Sequence, residues 1–448
     1  MHGISPSEAS DATEKAAPSV RDWLLAAALG AAFTLSVVDR YVLAYLVQDI
    51  QRDLGLSDLQ IGLLQGFAFS LIFGLAGLPL GHLVDRVSRV RLVTVAVTIW
   101  SVMTLGCGLA RSYTALLLCR AGVGVGEAAV TPASFSMLSQ VFPPRYFFVA
   151  STIFSIGPVL AVSIAGALAA LVLRQADAVG IIHIIWIGPV AAWRVVFAVC
   201  ASLSIPLILG FLFLREPERS LVTTNGRNRL GLRHFLIFTR RNWRVHMIYC
   251  VACGMTTAAS YALNAWMPAA LTRDLGWTPD RLGSVLAVIA LISGLVGCAI
   301  AGTVTTLLTQ RGRTADLYLC VAIAAAVFAV AGLLMFLMNG DAIALPVLAT
   351  AYLVSPLLFV LAPSLLQILT PPEFRGRMSA LFLLFNVAIG AGLGPVIVGA
   401  ISSTGAFPLT IAIGLTISLL CGVASLIAFA GRRRFAAFAD HLTQNANN

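Results

Sequence analysis

The chain has 448 residues, 59% of them hydrophobic and 11% charged, with a formal net charge of +10. A soluble domain carries roughly 25% charged residues, so this composition excludes an ordinary soluble protein and indicates one that lies mostly in lipid. The basic residues lie in short connections between apolar segments rather than on a polar basic domain, and we therefore expect no nucleic-acid partner.

The first 21 residues are polar and lack the cationic start and short apolar core of a cleavable signal peptide. Apolar segments follow, each long enough to cross about 30 Å of hydrocarbon. We predict twelve spans, at residues 22–47, 58–83, 91–110, 112–141, 146–173, 192–214, 245–271, 281–308, 315–338, 342–369, 377–403 and 406–430. The apolar segment 181–190 is too short to span and is predicted to be a loop. The predicted fold class is an all-α membrane protein with twelve transmembrane helices in two six-helix bundles.

Most lysine and arginine residues share one side of the membrane if both termini are cytoplasmic, which is the orientation that the positive-inside rule favours. We therefore expect a multi-pass, monomeric protein of the cell inner membrane. Its predicted parts are a cytoplasmic N-terminal tail (1–21), an N-terminal bundle (22–214), a cytoplasmic linker (215–243), a C-terminal bundle (244–431) and a cytoplasmic tail (432–448). The arginine-rich linker has two interpretations, a binding site for anionic lipid headgroups or a topology signal that joins the bundles.

The connection after span 2 contains GHLVDRVSRVR, which runs from Gly81 to Arg91 and includes Asp85, Arg86 and Arg89. This pattern resembles the signature G-x-x-x-D-R-x-x-R of the major facilitator superfamily, which implies a gate latch between spans 2 and 3. We expect Gly81 to permit close helix approach and the arginines to face the cytoplasm. The equivalent connection after span 8 lacks the aspartate, so a latch there should be weaker.

Four charged residues lie inside predicted spans: Asp39 and Arg40 in span 1, and Arg120 and Glu127 in span 4. Ionised groups in hydrocarbon are costly and normally face a water-filled cavity or a partner. We expect all four to line a hydrated path at mid-bilayer, where Asp39 and Glu127 exchange protons and Arg40 and Arg120 hold an anionic substrate or take part in coupling. The alternative is a purely structural ion-pair network.

The interiors of spans 7–12 contain essentially no charged residues. Their polar side chains are either links between helices or part of a cavity wall, and they are Tyr261, Asn264, Ser355, Gln367 and Asn386. One charged wall and one mostly apolar wall suit an amphiphile with a charged head better than a sugar. We expect the partners to be this small molecule, protons and membrane lipid.

Cofactor chemistry has little support in the sequence. Cys250 and Cys253 form a CxxC pair, which is either a redox or metal site or two small buried residues, and no further ligands lie nearby. Gly122, Gly124 and Gly126 follow no predicted strand, so we interpret them as a close helix contact rather than a nucleotide loop. We expect no metal, no cofactor and no enzymatic activity.

Three segments together, Val38–Phe69, GHLVDRVSR and Arg120–Leu138, resemble the spinster-like branch of the superfamily. The resemblance implies alternating access and, in bacterial members, proton coupling. Animal members of this branch carry lysophospholipids or sphingosine phosphate. By motif, Asp39, Arg40, Arg120 and Glu127 would be the coupling and substrate residues. A multidrug or small organic-anion exporter of the same superfamily remains an alternative, and an integral membrane enzyme is the alternative from another class.

Overall fold

The computed structural model describes residues 18–84, 86–179, 182–184, 188–217, 232–313, 316–371 and 374–447. Within these ranges, ten helices are long and apolar enough to cross a membrane. They are Val20–Tyr45 (span 1), Asp58–Val84 (2), Arg89–Leu109 (3), Tyr113–Val141 (4), Arg145–Gln175 (5), Ala192–Phe213 (6), Pro279–Gln310 (8), Asp316–Leu337 (9), Asp341–Ala362 (10) and Leu409–Phe435 (12). The two other predicted spans are also helical, and they are Trp243–Leu275 (7) and Arg375–Ser403 (11). In the described residues the spans are thus all helical and number twelve, as predicted.

Several spans are interrupted. Span 2 divides into Asp58–Gln65 and Phe67–Val84, span 4 into Tyr113–Glu127 and Val130–Val141, and span 5 into Pro144–Ser155 and Gly157–Val179. Spans 8 and 11 contain the π-helical turns Leu282–Leu286 and Asn386–Ala391. Span 9 ends in a short 3₁₀ turn, Met335–Leu337, while the helices of spans 10 and 12 continue to Ile368 and Asn447. The helix of span 12 therefore runs through the predicted C-terminal tail.

In the described residues, two helices and two short strands lie outside the spans. The helix Val47–Leu54 follows span 1, and the helix Leu232–Arg241, here called the linker helix, precedes span 7. The loop predicted at 181–190 contains the antiparallel strands Ile182–Ile184 (β1) and Gly188–Val190 (β2).

Serine side chains fix where three of the first spans begin. Ser19, Ser57 and Ser112 precede spans 1, 2 and 4, and each hydroxyl accepts a hydrogen bond from a backbone N–H three residues later. These bonds satisfy donors that the first helical turn leaves unpaired.

Glycines in span 4 bring its backbone close to its neighbours, as expected. A Cβ on Gly126 would lie 2.7 Å from the backbone nitrogen of Trp100 in span 3, and one on Gly124 would lie 2.9 Å from the carbonyl oxygen of Phe69 in span 2. Only glycine permits this approach. Span 2 is therefore held against span 4 at the level of Phe69.

Spans 1–6 and spans 7–12 meet at the end of the molecule opposite the termini, here called the far end. A Cβ on Gly62 of span 2 would lie 2.6 Å from the carbonyl oxygen of Pro395 in span 11, and one on Gly399 would lie 2.5 Å from that of Asp58. A Cβ on Gly66 would overlap the carbonyl oxygen of Gly392. Backbone packs directly on backbone along this seam.

Asp58, the first residue of span 2, ties both halves together at the far end. Its carboxylate accepts hydrogen bonds from both terminal nitrogens of Arg273 in span 7, at 2.8 and 3.0 Å, and from the hydroxyl of Ser402 in span 11, at 2.6 Å. Gln51 donates to the same carboxylate at 2.7 Å. Bidentate charge-assisted bonds of this kind are directional, so they hold the halves in one arrangement.

Gly62→Ala should loosen the far-end seam. The added methyl group meets backbone atoms that cannot move aside, and overpacking of this kind costs about 1–3 kcal/mol. We expect pulsed electron paramagnetic resonance between labels at positions 111 and 407, in a variant without the eight native cysteines, to show a longer far-end distance. Gly77→Ala is the control, because its Cβ would meet nothing within 4 Å in the same span. An unchanged distance in Gly62→Ala would contradict this description of the seam.

Candidate functional site

A buried ion pair joins spans 1 and 4. Arg40 donates from Nη2 to Oε2 of Glu127 at 2.6 Å, and the side chains are 14% and 1% exposed. The other terminal nitrogen, Nη1, donates to the hydroxyl of Tyr261 in span 7 at 3.3 Å. Arg40 thus extends from the first half of the chain to the second, at the seam between them.

Two phenylalanine rings of span 2 lie against the arginines. The guanidinium carbon of Arg40 lies 4.2 Å from the centroid of the Phe69 ring and 5.5 Å from that of Phe73, and the guanidinium carbon of Arg120 lies 5.7 Å from the Phe69 centroid. Cation–π contacts compensate part of the lost hydration of a buried cation. The Gly124 contact holds Phe69 in this position.

Asp39 and Arg120 lie deeper, inside the first half. Asp39 is 0% exposed, and its Oδ2 accepts a hydrogen bond from Thr104 of span 3 at 2.9 Å. Its carboxyl group also contacts the thiol of Cys200 in span 6. Arg120 is 1% exposed and donates to the backbone carbonyl oxygen of Asp39 at 3.2 Å. Asp39 is therefore enclosed by spans 1, 3, 4 and 6.

The expectation that all four charged residues line a hydrated path at mid-bilayer stays a prediction. The structure places Arg40 and Glu127 where the halves meet, and it places Asp39 and Arg120 inside the first half. Among them Arg40 is the one with a hydrogen bond to the second half in the described structure, and Glu127 is paired with Arg40 rather than with Arg120. Asp39 and Arg40 are adjacent in the helix of span 1 and point about 100° apart. Arg40 faces the seam between the halves, whereas Asp39 faces the interior of the first half.

Several polar atoms around the ion pair have no protein partner. They include Asp39 Oδ1, Glu127 Oε1, Arg40 Nε, and Nε and Nη2 of Arg120. Buried groups of this kind are normally satisfied by water or by a ligand, because leaving them unpaired costs about 1–3 kcal/mol each or more when they are charged. The cluster thus has free capacity for a proton, for water and for an anion.

The polar candidates of the second half behave differently from one another. Tyr261 joins the ion pair, whereas Asn264 donates to the carbonyl oxygen of Ser260 in its own helix at 2.8 Å. Asn386 is buried and accepts a hydrogen bond from Thr257 at 2.8 Å, which links spans 7 and 11. Ser355 is buried in span 10. Gln367 lies in the same helix, and its side chain falls outside the described structure.

Two expectations about the residues of the gate motif are wrong. A Cβ on Gly81 would meet nothing within 4 Å, so this glycine is not at a close helix contact, because its end of span 2 lies away from the far-end seam. Arg89 is 1% exposed rather than facing outward. Arg86 is exposed, as expected. Asp85 lies outside the described residues.

Arg89 pairs with Glu216, which follows span 6 and which the sequence analysis did not identify. The Arg89 Nε donates to Oε1 of Glu216 at 2.8 Å, and Nη1 donates to Oε1 of Gln140 at 2.7 Å. The Glu216 carboxylate also accepts from the Ser88 hydroxyl and from two backbone N–H groups of span 3. Burial alone would raise the pKa of Glu216, but the hydrogen bonds from Val90, Arg89 and Ser88 outweigh it and lower the pKa to about 2.

Other residues at these sites also escaped the sequence analysis, although each has a sequence signal. Phe69 and Phe73 are four residues apart and so share one helix face beside the charged spans. Asp58 and Arg273 are opposite charges at span ends on the same predicted side of the membrane. Only the folded structure pairs them.

Glu216→Gln should destabilise the protein near neutral pH by about 0.5–2 kcal/mol, the cost of losing a helix cap. The pKa of Glu216 is lowered on folding, so the stabilisation is complete above the ordinary value of 4.5 and decreases as the pH falls from there towards 2. We expect thermal unfolding midpoints of the wild type and the variant to differ at pH 7 and to converge below pH 4.5. Arg86→Gln, on the exposed part of the same connection, is the control. A constant difference at all pH values would contradict the assignment.

Comparisons with known proteins agree with this architecture. An MFS-type efflux pump of Mycolicibacterium smegmatis is 28% identical over 389 residues, covering 86% of this chain and 85% of the pump. The sphingosine-1-phosphate transporter SPNS2 of Danio rerio is 26% identical over 305 residues, covering 64% of this chain and 57% of that protein.

A solved structure and a family profile extend the similarity to most of the chain. A bacterial homolog of the human lysosomal transporter Spinster, in an inward-facing and unoccupied conformation, aligns with a TM-score of 0.74 at 23% identity over 96% of this chain and 99% of that chain. The profile of the Major Facilitator Superfamily matches residues 29–388. The predicted fold and the resemblance to the spinster-like branch are thereby confirmed, and the chain belongs to the Major Facilitator Superfamily, a family of transporters rather than enzymes.

Proposed function

We propose that this transporter carries an amphiphilic anion by alternating access and couples its transport to protons. We also propose that it spans the inner membrane of the cell with both termini in the cytoplasm. The observation that carries the proposal is the position of Arg40. Its guanidinium is paired with Glu127, lies over Phe69 and contacts Tyr261 across the seam. An anionic headgroup that binds this guanidinium would contact both halves of the chain.

The substrate head would compete with Glu127 for Arg40. When an anion binds Arg40, the displaced Glu127 carboxylate is left without its cation in an apolar environment, and the least costly outcome is that it takes up a proton. When the anion leaves, Glu127 loses the proton and pairs with Arg40 again. Substrate binding and proton uptake are coupled because the substrate anion and the Glu127 carboxylate compete for the same guanidinium.

Asp39 would be the second proton site. It has one oxygen paired with Thr104 and one without a protein partner, and it is linked to Arg120 through its own carbonyl group. Protonation of Asp39 would change the field at Arg120, which also faces Phe69. Asp39 thus lies inside the first half, while Glu127 is paired with Arg40 at the seam.

The apolar tail of an amphiphile fits the rest of the site. Phe69 and Phe73 contribute aromatic surface on one side, and the interiors of spans 7–12 contribute mostly apolar side chains on the other. SPNS2, which carries a lipid phosphate by name, is similar over 64% of this chain. These features favour a single-chain lipid anion.

Alternating access would proceed by breaking the far-end seam. The Asp58 bonds to Arg273 and Ser402 close that end in this conformation, whereas Gly81 at the other end of span 2 has open space around it. Opening the far end would require these bonds to break and the Gly81 region to approach the second half. Span 2 thus contacts the second half through Asp58 in this conformation, and the other state would form a new contact at the Gly81 end.

An exporter of small organic anions or drugs is the second candidate function. The similarity to the efflux pump of M. smegmatis covers 86% of this chain, and the half-buried Arg40 with the buried Arg120 would also suit a compact anion. A thermal-shift screen of the purified protein with lysophosphatidic acid, small dicarboxylates and cationic drugs separates the two functions. Stabilisation by cationic drugs but by no anion would contradict both anion proposals.

Glu127→Gln and Asp39→Asn should each abolish transport driven by a pH gradient while leaving substrate exchange intact. The amides keep the shape and the hydrogen-bond acceptor but do not titrate between pH 5 and pH 8. The measurement is uptake and counterflow of labelled lysophosphatidic acid in proteoliposomes. Asp22→Asn, at the half-buried start of the same span as Asp39, is the control and should behave as the wild type. Full pH-driven accumulation in both variants would overturn the coupling assignment.

Arg40→Gln should weaken binding of lysophosphatidic acid by roughly 10- to 100-fold, because a hydrogen bond to a charged group contributes about 1.5–3 kcal/mol. Arg120→Ala should weaken it as well. Isothermal titration in detergent measures both, and Arg21→Gln, exposed at the start of span 1, is the control. Unchanged affinity in both variants would favour a structural ion-pair network instead.

A further inference from the structure

The linker helix, Leu232–Arg241, is anchored on the second half by one of its faces. Phe235 is buried, and its ring centroid lies 5.9 Å from that of Phe374, at the start of span 11. The ring of Phe238 stacks on Phe374 at 5.1 Å and contacts the ring of His246 at 5.5 Å. The helix is therefore held in a fixed orientation relative to spans 7 and 11.

The opposite face combines apolar and basic side chains. Arg233, Leu236, Ile237 and Arg240 follow the i, i+3, i+4, i+7 spacing of one helix face and together line a shallow concavity. Leu236 and Ile237 are 56% and 55% exposed, and both arginines are exposed. An exposed aliphatic pair with one arginine at each end is unusual on a surface that contacts only water.

This face lies next to the point where span 7 begins. Only Asn242 separates the linker helix from Trp243, the first residue of span 7. Trp243 is 53% exposed, and the guanidinium carbon of Arg244 lies 5.8 Å from its ring centroid. Tryptophan and arginine at a span end are typical of the level of the lipid headgroups. The basic and apolar face is thus at the height where phosphates meet acyl chains.

We propose that this face of the linker helix binds an anionic phospholipid of the adjacent leaflet. Arg233 and Arg240 contact phosphate groups, while Leu236 and Ile237 contact the upper part of the acyl chains. The two arginines are seven residues apart, which places them about 10 Å apart along the helix, within reach of one or two neighbouring headgroups. Charge complementarity and the position beside Trp243 favour a lipid over a protein partner. The proposal is independent of the transported substrate.

The test uses the full chain in detergent with phosphatidylglycerol or phosphatidylcholine added, and native mass spectrometry counts retained lipid. The wild type should retain phosphatidylglycerol in preference. The double variant Arg233→Gln with Arg240→Gln should weaken the apparent affinity for phosphatidylglycerol about 30-fold, because each arginine near an anionic surface contributes about 1 kcal/mol. Arg91→Gln with Arg311→Gln removes the same charge from exposed positions elsewhere and should change little. Leu236→Ser with Ile237→Ser should weaken retention of phosphatidylglycerol too.

Equal retention by the two arginine double variants would overturn the proposal, since a diffuse basic surface would then suffice. Equal retention of the two lipids by the wild type would overturn it as well. Stabilisation by inorganic phosphate alone, measured as a thermal shift, would indicate a soluble anion and contradict a lipid site. If the linker double variant has a lower melting temperature without lipid, Arg233→Gln and Arg240→Gln are tested singly, and each should still weaken retention about fivefold.

Discussion

One charge-assisted hydrogen bond, from Arg40 to Glu127, joins spans 1 and 4 in the apolar interior of the protein. Taking two ions out of water is costly, and removing one partner of such a pair leaves a charge that the surroundings cannot solvate. The pair is tolerated because the centroid of the Phe69 ring lies 4.2 Å from the guanidinium carbon of Arg40 and the Tyr261 hydroxyl offers a further acceptor. Each of these partners comes from a different span, so the ion pair depends on how spans 1, 2, 4 and 7 pack together.

Close packing supplies that arrangement. Gly124 brings the backbone of span 4 against Phe69, and Gly62 brings span 2 against Pro395 of the second half. The same span 2 begins at Asp58, whose bonds to Arg273 and Ser402 close the far end. Movement of span 2 relative to the second half would therefore alter the far-end contacts and the aromatic support of Arg40 together. This common dependence gives a physical route by which proton and substrate binding would influence access.

The sequence was sufficient for the fold because hydrophobic length alone identifies spans, and the helices agree with the predicted segments to within a few residues at most ends. It was also sufficient to select Asp39, Arg40, Arg120 and Glu127, because charge inside a span is rare. It was not sufficient to decide which way each side chain points. Adjacent residues of a helix face different neighbours, and Asp39 faces the interior of the first half while Arg40 reaches Tyr261 of the second. Glu216 lies in a polar connection, where nothing in the sequence distinguishes one acidic residue from another. Only the folded structure shows that Arg89 lies beside it.

The central claim is that an anionic substrate and Glu127 compete for Arg40. Infrared difference spectroscopy of the protein with and without lysophosphatidic acid tests it directly, because a protonated carboxyl group has a carbonyl band that a carboxylate lacks. Competition predicts that such a band appears on substrate addition in the wild type, shifts in ²H₂O, and is absent in Glu127→Gln. A spectrum without the band despite saturated binding, or with the same band in Glu127→Gln, would contradict it.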